Sequence, residues 1–308
     1  MDSDTGSPEV GRHLLGAHVV GQRVVVRRVL RGVTGPSGGP AMTDVLGVCT
    51  SWGQGRCVVE SDRGPVVIEI ADIVSGKPVP PRPSARLRVA AADAQRRALA
   101  LWPDLVTEPR GDWILRLSDS STARRANSVL AIGESGLADP VAEVTSYYLG
   151  HDRRPIAAVV ADSAQCELFA SRGWVPESHD ADTLFQIAPV ARALRTLRGH
   201  GADQVLLEED RDLVTVSIGD PGAPVATGVA ACAEDWVGFR GIEVVPAYRR
   251  QGLGLAVMAI LLEWGAERGA TTAYLQVLGH NTGAIALYER IGFATHHAYR
   301  YLAPPAPD

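Results

Sequence analysis

The sequence predicts an α/β (α+β) protein in which mixed central sheets, flanked by helices, follow a small β-barrel. Three observations lead to this fold class. Short strands joined by tight turns fill the first quarter of the 308 residues. Strands alternating with helices fill the rest, and two stretches of that region share a faded repeat. The length itself is that of about two domains.

The barrel is predicted over residues 17–77, after a flexible polar leader at residues 1–16. Gly53-Gln54-Gly55 and Asp62-Arg63-Gly64 are typical of hairpin turns, because Gly and Asp tolerate the positive φ that such turns require. Four or five short strands within about 60 residues indicate a small barrel, and the segment resembles an SH3-like barrel. The Pro-rich residues 78–84 predict a stiff linker.

A first mixed α/β segment is predicted over residues 85–188. Ala85 to Trp102 has the apolar spacing of one helix, which Pro103 ends. Asp139-Pro140 opens another helix, with proline in its first turn. Strands are predicted over residues 112–118, 125–132 and 156–161.

A second segment of the same kind is predicted over residues 189–302, followed by a disordered tail at residues 303–308. It begins with a helix that reaches about residue 198. The predicted strands are 205–208, 213–218, 225–233, 237–245 and 272–278, and the predicted helices are 252–268 and 282–291. Only a Gly/Pro turn separates the second and third of these strands.

The strongest functional motif is the run from Val244 to Gly254, in which an apolar strand enters a basic, glycine-bearing turn and then a helix. The first backbone N–H groups of a helix have no partner within it, and the helix dipole favours an anion there. Glycines let the backbone approach a pyrophosphate closely. Arg249 and Arg250 add positive charge. The motif therefore predicts a phosphate-binding turn.

At these residues the sequence resembles the GCN5-related N-acetyltransferases, the GNAT family. The family's Q/R-x-x-G-x-G/A turn is matched by Arg249-Arg250-Gln251-Gly252-Leu253-Gly254, which follows Pro246. A second family signature is also present, in Leu275-Gln276-Val277, Asn281, Ala284, Ala286-Leu287-Tyr288 and Gly292-Phe293. The resemblance covers residues 205–302 well and extends in weaker form back to residue 85, as in tandem bacterial members.

The resemblance implies acetyl-CoA as cosubstrate, with no metal, and a role for each site residue. The backbone of Val244 would pair with the pantetheine amides, and Asn281 would hydrogen-bond the pantetheine arm. Tyr288 would protonate the departing thiolate. The pyrophosphate would be cradled by Arg249, Arg250, Gln251, Gly252, Leu253, Gly254 and Leu255.

Structural alternatives stand beside these roles. Tyr288 lies on an amphipathic helix and could be a core residue. Asn281 could be only the N-terminal cap of that helix, or serve both purposes. We expect Tyr248 to be a packing residue. Cys49 and Cys57 are expected to face each other across a hairpin as buried thiols rather than to bind metal.

The general base is left unassigned by the sequence. Some GNAT enzymes carry a Glu on the strand before Asn281, but this chain has Gln276 there, and an amide cannot accept a proton as a base. Glu243 is one candidate, although strand alternation places it on the face opposite to Val244. Glu234 and Asp235 are others, with a solvated turn as the alternative reading.

The repeat indicates that residues 85–188 are a degenerate half of the same fold. Leu168-Phe169-Ala170-Ser171-Arg172-Gly173-Trp174 echoes residues 287–293, and in that register Asp162 stands where Asn281 does. Phe169 has no hydroxyl, and the turn after residue 132 is acidic, so we expect no coenzyme A site there. We expect this half to wall the acceptor site. Arg125 and Asn127 are candidates to face substrate, with structural hydrogen bonding as the alternative.

The predicted reaction is acetyl transfer from acetyl-CoA to an amine by direct attack in a ternary complex. A small-molecule amine or amino acid is the first expectation for the acceptor, and a protein lysine or N-terminus the second. The alternative is a non-catalytic acyl-CoA sensor that uses the barrel to bind a partner or a nucleic acid.

Composition bears on the partners and the location. The formal net charge of −5 argues against wholesale nucleic-acid binding and favours a cationic acceptor through steering. The acidic N-terminus lacks an apolar run, and no apolar stretch is long enough for a bilayer, so we expect a cytoplasmic protein that does not bind membranes. The oligomeric state is left open.

Overall fold

The computed structural model describes residues 15–35, 38–79 and 85–306. The chain forms two compact units, Met1–Pro83 and Ser84–Asp308. Most of the predicted leader and of the predicted linker, as well as the last two residues of the predicted tail, lie outside the described residues. Each unit is described by itself below.

The first unit is a five-stranded antiparallel sheet. Its strands are β1 (Arg23–Thr34), β2 (Pro40–Gly53), β3 (Arg56–Ser61), β4 (Gly64–Glu69) and β5 (Ile73–Pro78), with 3-10 turns at Ala17–Val19 and Ile70–Asp72. The strand order is β4-β3-β2-β1-β5, so the first strand pairs with both the second and the last. This arrangement is consistent with a small barrel-like domain.

Two features of this unit bear on the sequence analysis. Cys49 and Cys57 are both buried free thiols, but they are not opposite each other: Cys49 pairs with Val59 and Cys57 with Trp52. The hairpin register itself offsets them, and a register shift between Cys49 and Ser51 increases the offset. Arginines on β1 form ion pairs with neighbouring carboxylates, Arg27 with Asp44 at 2.8 Å and Arg31 with Asp72 at 2.7 Å.

The second unit is built on one large mixed sheet. Its helices are α1 (Ala91–Arg97), α2 (Pro140–Gly150), α3 (Ala164–Ser171), α4 (Val190–Thr196), α5 (Leu253–Glu267) and α6 (Thr282–Arg290). Its strands are β6 (Val106–Arg110), β7 (Trp113–Leu117), β8 (Val129–Ala131), β9 (Ala157–Val160), β10 (Val175–Pro176), β11 (Asp182–Pro189), β12 (Val205–Asp210), β13 (Leu213–Asp220), β14 (Ala223–Ala233), β15 (Trp236–Val244), β16 (Thr272–Leu278) and β17 (Ala294–Ala303).

The strand order shows that two halves of this unit exchange their last strands. The order is β12-β13-β14-β15-β16-β11-β17-β9-β8-β7-β6, and β10 pairs with β17. We call residues 85–188 the first half and residues 189–302 the second half. β11 comes from the first half but pairs with β16 of the second, and β17 comes from the second half but pairs with β9 of the first. One continuous sheet therefore joins the halves.

β15 and β16 in the second half pair along only part of their length and then separate. We call the point of separation the splay; the candidate active site described below lies beside it. β15 and β16 are parallel and pair only from Trp236↔Thr272 to Phe239↔Leu275. Beyond these residues the two strands diverge. A register shift against β14 and a positive φ of 59° at Gly241 mark a bulge in β15 directly after the last paired residues. Bulges re-aim strands in this way next to functional sites.

The two faces of the sheet are covered differently. On what we call the α5 face, apolar residues of β13–β16 pack against α4, α5 and α6. On the opposite face, which we call the α1 face, Phe185, Trp236 and Tyr274 pack against α1 and the 3-10 helix Ala98–Leu101. In the first half, α2 and α3 cover a core around Trp113 and Phe169.

Two predictions about elements were wrong, and four strands were missed. The single helix over residues 85–102 is a 3-10 helix (Ala85–Arg88), α1 and a second 3-10 helix, because Ala90 is extended and His296 hydrogen-bonds the Val89 carbonyl. Ala303 is not tail but the buried end of β17. The strands β6, β10, β11 and β17 were not predicted.

None of the helices in the described part of the chain combines the length and apolarity needed to cross a membrane.

Candidate active site

A cavity of about 1150 Å³ lies between the end of β15, the start of α5 and one side of α6. We call it the α5–α6 cavity. It brings together nine of the ten residues that the sequence analysis singled out: Val244, Arg249, Arg250, Gly252, Leu253, Gly254, Leu255, Asn281 and Tyr288. The tenth, Gln251, is exposed on the same turn but does not line the cavity.

The turn before α5 leaves the start of that helix open. Gly252 is the N-cap residue with φ 83° and ψ −2°, a left-handed conformation that favours glycine, and no side chain caps the helix. Arg250 is also left-handed, with φ 65°. The first N–H groups of α5 therefore point outward without a side-chain acceptor, as an anion site requires. Arg249 Nε donates to the Val244 carbonyl oxygen at 3.2 Å, so this arginine bridges the turn and the strand.

Asn281 caps α6 and still faces the cavity. Its Oδ1 accepts a hydrogen bond from the Ala284 N–H at 3.1 Å. Its Nδ2 has no hydrogen bond to any residue that the structure describes, and the side chain is exposed. The cap occupies only the amide oxygen, so both roles considered for Asn281 are compatible.

Tyr288 lies on α6 with its ring against Phe293, at a centroid distance of 5.9 Å. Burial raises the pKa of its phenol, which keeps the group protonated at neutral pH. Its hydroxyl is not hydrogen-bonded within the described ranges, although the residue lines the cavity. The geometry thus supplies a protonated hydroxyl that is free to donate. Tyr248, predicted as a packing residue, is instead 44% exposed and lines the same cavity.

The three carboxylates considered as bases lie at opposite ends of β15. Glu234 pairs with Arg97 at 2.9 Å, and Asp235 accepts a hydrogen bond from Thr271 Oγ1 at 2.6 Å. Both precede β15, roughly 30 Å from its far end at about 3.3 Å per residue. Glu243 lines a second cavity of about 630 Å³ that shares Val244 and Arg249 with the first. Of the three, Glu243 is the one near the site.

In the first half, the helix α2 has a capped N-terminus, in contrast to the uncapped N-terminus of α5. α2 is capped by Asp139, whose Oδ1 accepts from the Ala142 N–H at 3.3 Å, and Pro140 supplies no N–H. A carboxylate thus occupies the place where an anion would bind. Phe169 is fully buried and stacks on Trp113 at 5.5 Å. The residue equivalent to Asn281 as helix cap is Ser163 rather than Asp162, which the repeat register predicted.

Arg125 and Asn127 have different surroundings. Asn127 is buried and holds the loop before β8 together, accepting from the Ser118 N–H at 3.1 Å. Arg125 reaches into the second half, where its Nε donates to Gln276 Oε1 at 3.1 Å. The sequence analysis missed Arg240 on β15, whose Nε donates to the Leu101 carbonyl at 2.9 Å. An isolated arginine at the bulge carries no motif that could have revealed it.

Comparison with known proteins now identifies the family. The family described as the C-terminal region of the probable histone acetyltransferase Rv0428c matches residues 87–302. The chain belongs to this family. The Rv0428c protein of Mycobacterium tuberculosis (strain ATCC 25618 / H37Rv) is 29% identical over 236 residues, which are 71% of this chain and 76% of the relative.

Further relatives match the second half and the fold. The [ribosomal protein bS18]-alanine N-acetyltransferase of Escherichia coli (strain K12) is 39% identical over 72 residues, 23% of this chain and 49% of the relative, so the match spans about half of that enzyme. A GCN5-related N-acetyltransferase structure from Kribbella flavida has a TM-score of 0.53 at 20% identity, covering 70% of this chain and 96% of that one. The protein is thus an acetyl-CoA-dependent N-acetyltransferase with a GNAT fold.

Proposed function

We propose that the second half of this GNAT protein binds acetyl-CoA in the α5–α6 cavity and transfers the acetyl group to a small-molecule amine, with a protein amine as the second candidate. The observation that carries the proposal is the uncapped start of α5 beside Arg249 and Arg250, which share one cavity with Asn281 and Tyr288. In this proposal the first half is a degenerate, non-binding half that walls the acceptor side.

Each residue of the cavity has a place in the reaction. The backbone N–H groups at Gly252–Gly254 would hold the pyrophosphate, and the Asn281 amide N–H group would donate to the pantetheine arm. The amine nitrogen would attack the thioester carbonyl carbon; an N–C bond forms and the C–S bond breaks. The proton lost from nitrogen goes to water or to Glu243, and Tyr288 gives its proton to the departing thiolate.

The proposed acceptor class is consistent with the names of two relatives. The bS18-alanine enzyme is named for a ribosomal protein, and a streptothricin acetyltransferase from Streptomyces lavendulae, 36% identical over 90 residues, is named for a small molecule. These matches cover 23% and 28% of this chain. Both named acceptors are consistent with transfer to an amine.

We also propose that the first unit is an SH3-like barrel. Its support is the strand order β4-β3-β2-β1-β5 together with the 3-10 turn Ile70–Asp72 immediately before the last strand. The proposed domain boundaries are residues 17–77 for the barrel, 85–188 for the degenerate half and 189–302 for the catalytic half.

The experiment that tests the function has two steps. Calorimetry on the full chain measures acetyl-CoA binding, and an amine panel with mass detection then identifies the acetylated product. We expect binding together with formation of a product and free thiol in equal amounts. Binding without transfer to any small-molecule or peptide amine would favour the acyl-CoA sensor. Absence of binding would contradict the proposal entirely.

A further inference from the structure

Three arginines of the second unit lie in or at the sheet without a carboxylate partner. Arg116 is 5% exposed, and Arg125 and Arg240 are half-buried. Within the part of the chain that the structure describes, none of them has a carboxylate oxygen within 4.0 Å. Among the described residues, the Arg116 guanidinium donates only to Ser128, to its carbonyl oxygen at 2.9 Å and its hydroxyl at 2.7 Å. Charges taken out of water are normally paired, so this group of cations lacks an anion.

The position of Arg125 follows from its contacts with β16. Its Nη2 donates to the backbone carbonyl of Gln276 at 3.3 Å, and its Nε contacts the Tyr299 hydroxyl at 3.1 Å. The Thr272 N–H donates toward β15, to the Asp235 carbonyl at 3.1 Å. Backbone groups alternate sides along a strand, so residues two or four apart direct them to the same side. Gln276 lies four residues after Thr272, and its carbonyl therefore also points toward β15. Pairing of β15 with β16 ends one residue earlier, at Leu275, so Arg125 sits at the splay.

Arg240 stands on the other arm of the splay. It follows Phe239, the last residue of β15 that pairs with β16. Its guanidinium lies 4.7 Å from the ring centroid of Trp102, and its Nε bonds the Leu101 carbonyl, both on the α1 face. Asp104 acts on it only from beyond 4.0 Å, and that carboxylate itself accepts hydrogen bonds from Ser118 and Ser120 at 2.6 and 2.5 Å.

Both guanidinium groups keep donors for a further partner. Arg125 uses Nε and Nη2, and its Nη1 has no acceptor among the described residues. Arg240 uses only Nε, and both of its Nη atoms are without an acceptor in the same part of the chain. None of these nitrogens is among the fully buried unpaired atoms, so each keeps some exposed surface. The α5–α6 cavity opens at Val244 on β15, four residues beyond Arg240.

We propose that the acceptor amine also carries a carboxylate, which Arg125 and Arg240 bind at the splay. This inference rests on the proposed function and narrows its acceptor to the class of amino acids and related amino carboxylates. Guanidinium is the donor whose planar geometry matches a carboxylate, and a carboxylate there neutralises the unpaired charge. The positive charge at the splay thus differs from the expectation from net charge, which favoured a cationic acceptor.

The test compares matched acceptors with the full chain. Each of the twenty amino acids is assayed beside its amide and its decarboxylated amine, which keep the amine and lose the carboxylate. The variants are Arg125→Gln, Arg240→Gln and the charge-retaining Arg125→Lys. Arg195→Gln, on the exposed surface of α4, is the matched control. Calorimetry with acetyl-CoA is run on every variant, and thermal unfolding checks that each is folded.

We expect at least one amino acid to exceed its amide in kcat/KM by about 10- to 100-fold, the worth of a charge-assisted hydrogen-bond pair. Arg125→Gln and Arg240→Gln should erase that preference and leave acetyl-CoA binding unchanged. Arg125→Lys should retain part of the preference, and the control should match wild type.

The wild-type comparison needs no variant, so misfolding of a variant does not remove the test. A chain that binds acetyl-CoA yet prefers carboxylate-free amines, or acetylates none of the panel, contradicts the inference. Failure to bind acetyl-CoA contradicts the proposed function instead.

Discussion

At the scale of single residues, Tyr288 and Phe169 form a natural comparison. The Phe293 N–H donates to the Tyr288 carbonyl at 3.0 Å, and the Trp174 N–H donates to the Phe169 carbonyl at 3.1 Å. The two aromatic residues therefore end their helices with the same backbone geometry. What differs is one hydroxyl, which is present in the half with the open helix start.

Replacing Tyr288 by Phe should lower kcat by roughly 10²- to 10⁴-fold, the usual contribution of a general acid. Acetyl-CoA affinity should change little, because the ring and its contact with Phe293 are retained. Steady-state kinetics with a matched acceptor measures the effect, and Tyr147→Phe, in the first half, is the control. Turnover at the wild-type level in a chemistry-limited assay would make Tyr288 a core residue only.

Replacing Gly252 by Asp should abolish acetyl-CoA binding in a folded protein. The variant places a negative charge against the site of the pyrophosphate, which costs on the order of several kcal/mol where solvation is poor. Gly269→Asp is a matched control, because Gly269 also has a positive φ, 84° against 83°, and equally open space around a Cβ. Calorimetry and thermal unfolding separate the two effects. Equal affinities in the two variants would refute the assignment of this turn.

Sequence reasoning at this scale reached residues that belong to contiguous motifs. Arg249, Gly252 and Asn281 were found because their chemistry depends on neighbours along the chain, and the structure places them in one cavity. Arg240 was not found, because nothing in its local sequence shows that β15–β16 pairing ends beside it. Its contact with the Leu101 carbonyl also joins residues far apart in sequence. Tyr248 was misjudged, since aromatic character alone did not show which side of the turn it would occupy.

At the scale of elements, the starts of α2 and α5 set the two halves apart. α5 begins with an uncapped, left-handed glycine, and α2 begins with an aspartate that accepts the Ala142 N–H. Asp139 also pairs with Arg172 at 3.1 Å, and both contacts lower the pKa of its carboxyl. A second anion at this helix would meet a fixed negative charge.

The full chain should therefore bind one acetyl-CoA, not two. Calorimetric stoichiometry on the intact protein measures this directly. In the Gly252→Asp variant the remaining binding heat should be zero, because the first half contributes no site. A residual site in that variant, or two sites in the wild type, would contradict the view that the first half is degenerate.

Except for β17, the helices and strands of the second half were predicted within a few residues, because their periodicity is local. β11 and β17 were not predicted, although both are central in the sheet. Most of β11 is buried, so it lacks a polar–apolar alternation. The first part of β17 is only partly buried and carries the polar residues Thr295, His296 and His297, which interrupt any apolar pattern. Their position depends on pairing partners more than a hundred residues away, such as Phe185 with His297.

At the scale of the whole second unit, the exchange of β11 and β17 makes the halves interdependent. Residues 85–188 alone would leave the edge of β9 unpaired, and residues 189–306 alone would leave β16 and β17 without the strand between them. Such edges expose backbone hydrogen-bonding groups and apolar side chains.

Neither half should fold cooperatively when expressed alone. The fragment 84–308, which keeps both exchanged strands, is the control and should unfold in a single transition. Thermal unfolding followed by near-ultraviolet circular dichroism distinguishes these outcomes, and co-expression of the two halves should recover the native signal. A cooperative transition in residues 189–308 alone would show that β11 is dispensable for the second half.

The exchange also sets an order on events during synthesis at the ribosome. When residues 85–188 have emerged, β9 still lacks its neighbour, because that neighbour is made more than 130 residues later, from residue 294 onward. The nascent first half therefore keeps an open strand edge while the turn that we propose to bind acetyl-CoA is translated. Chaperone protection during that interval, or slow translation of the region between, would decide how much of the chain reaches the native sheet.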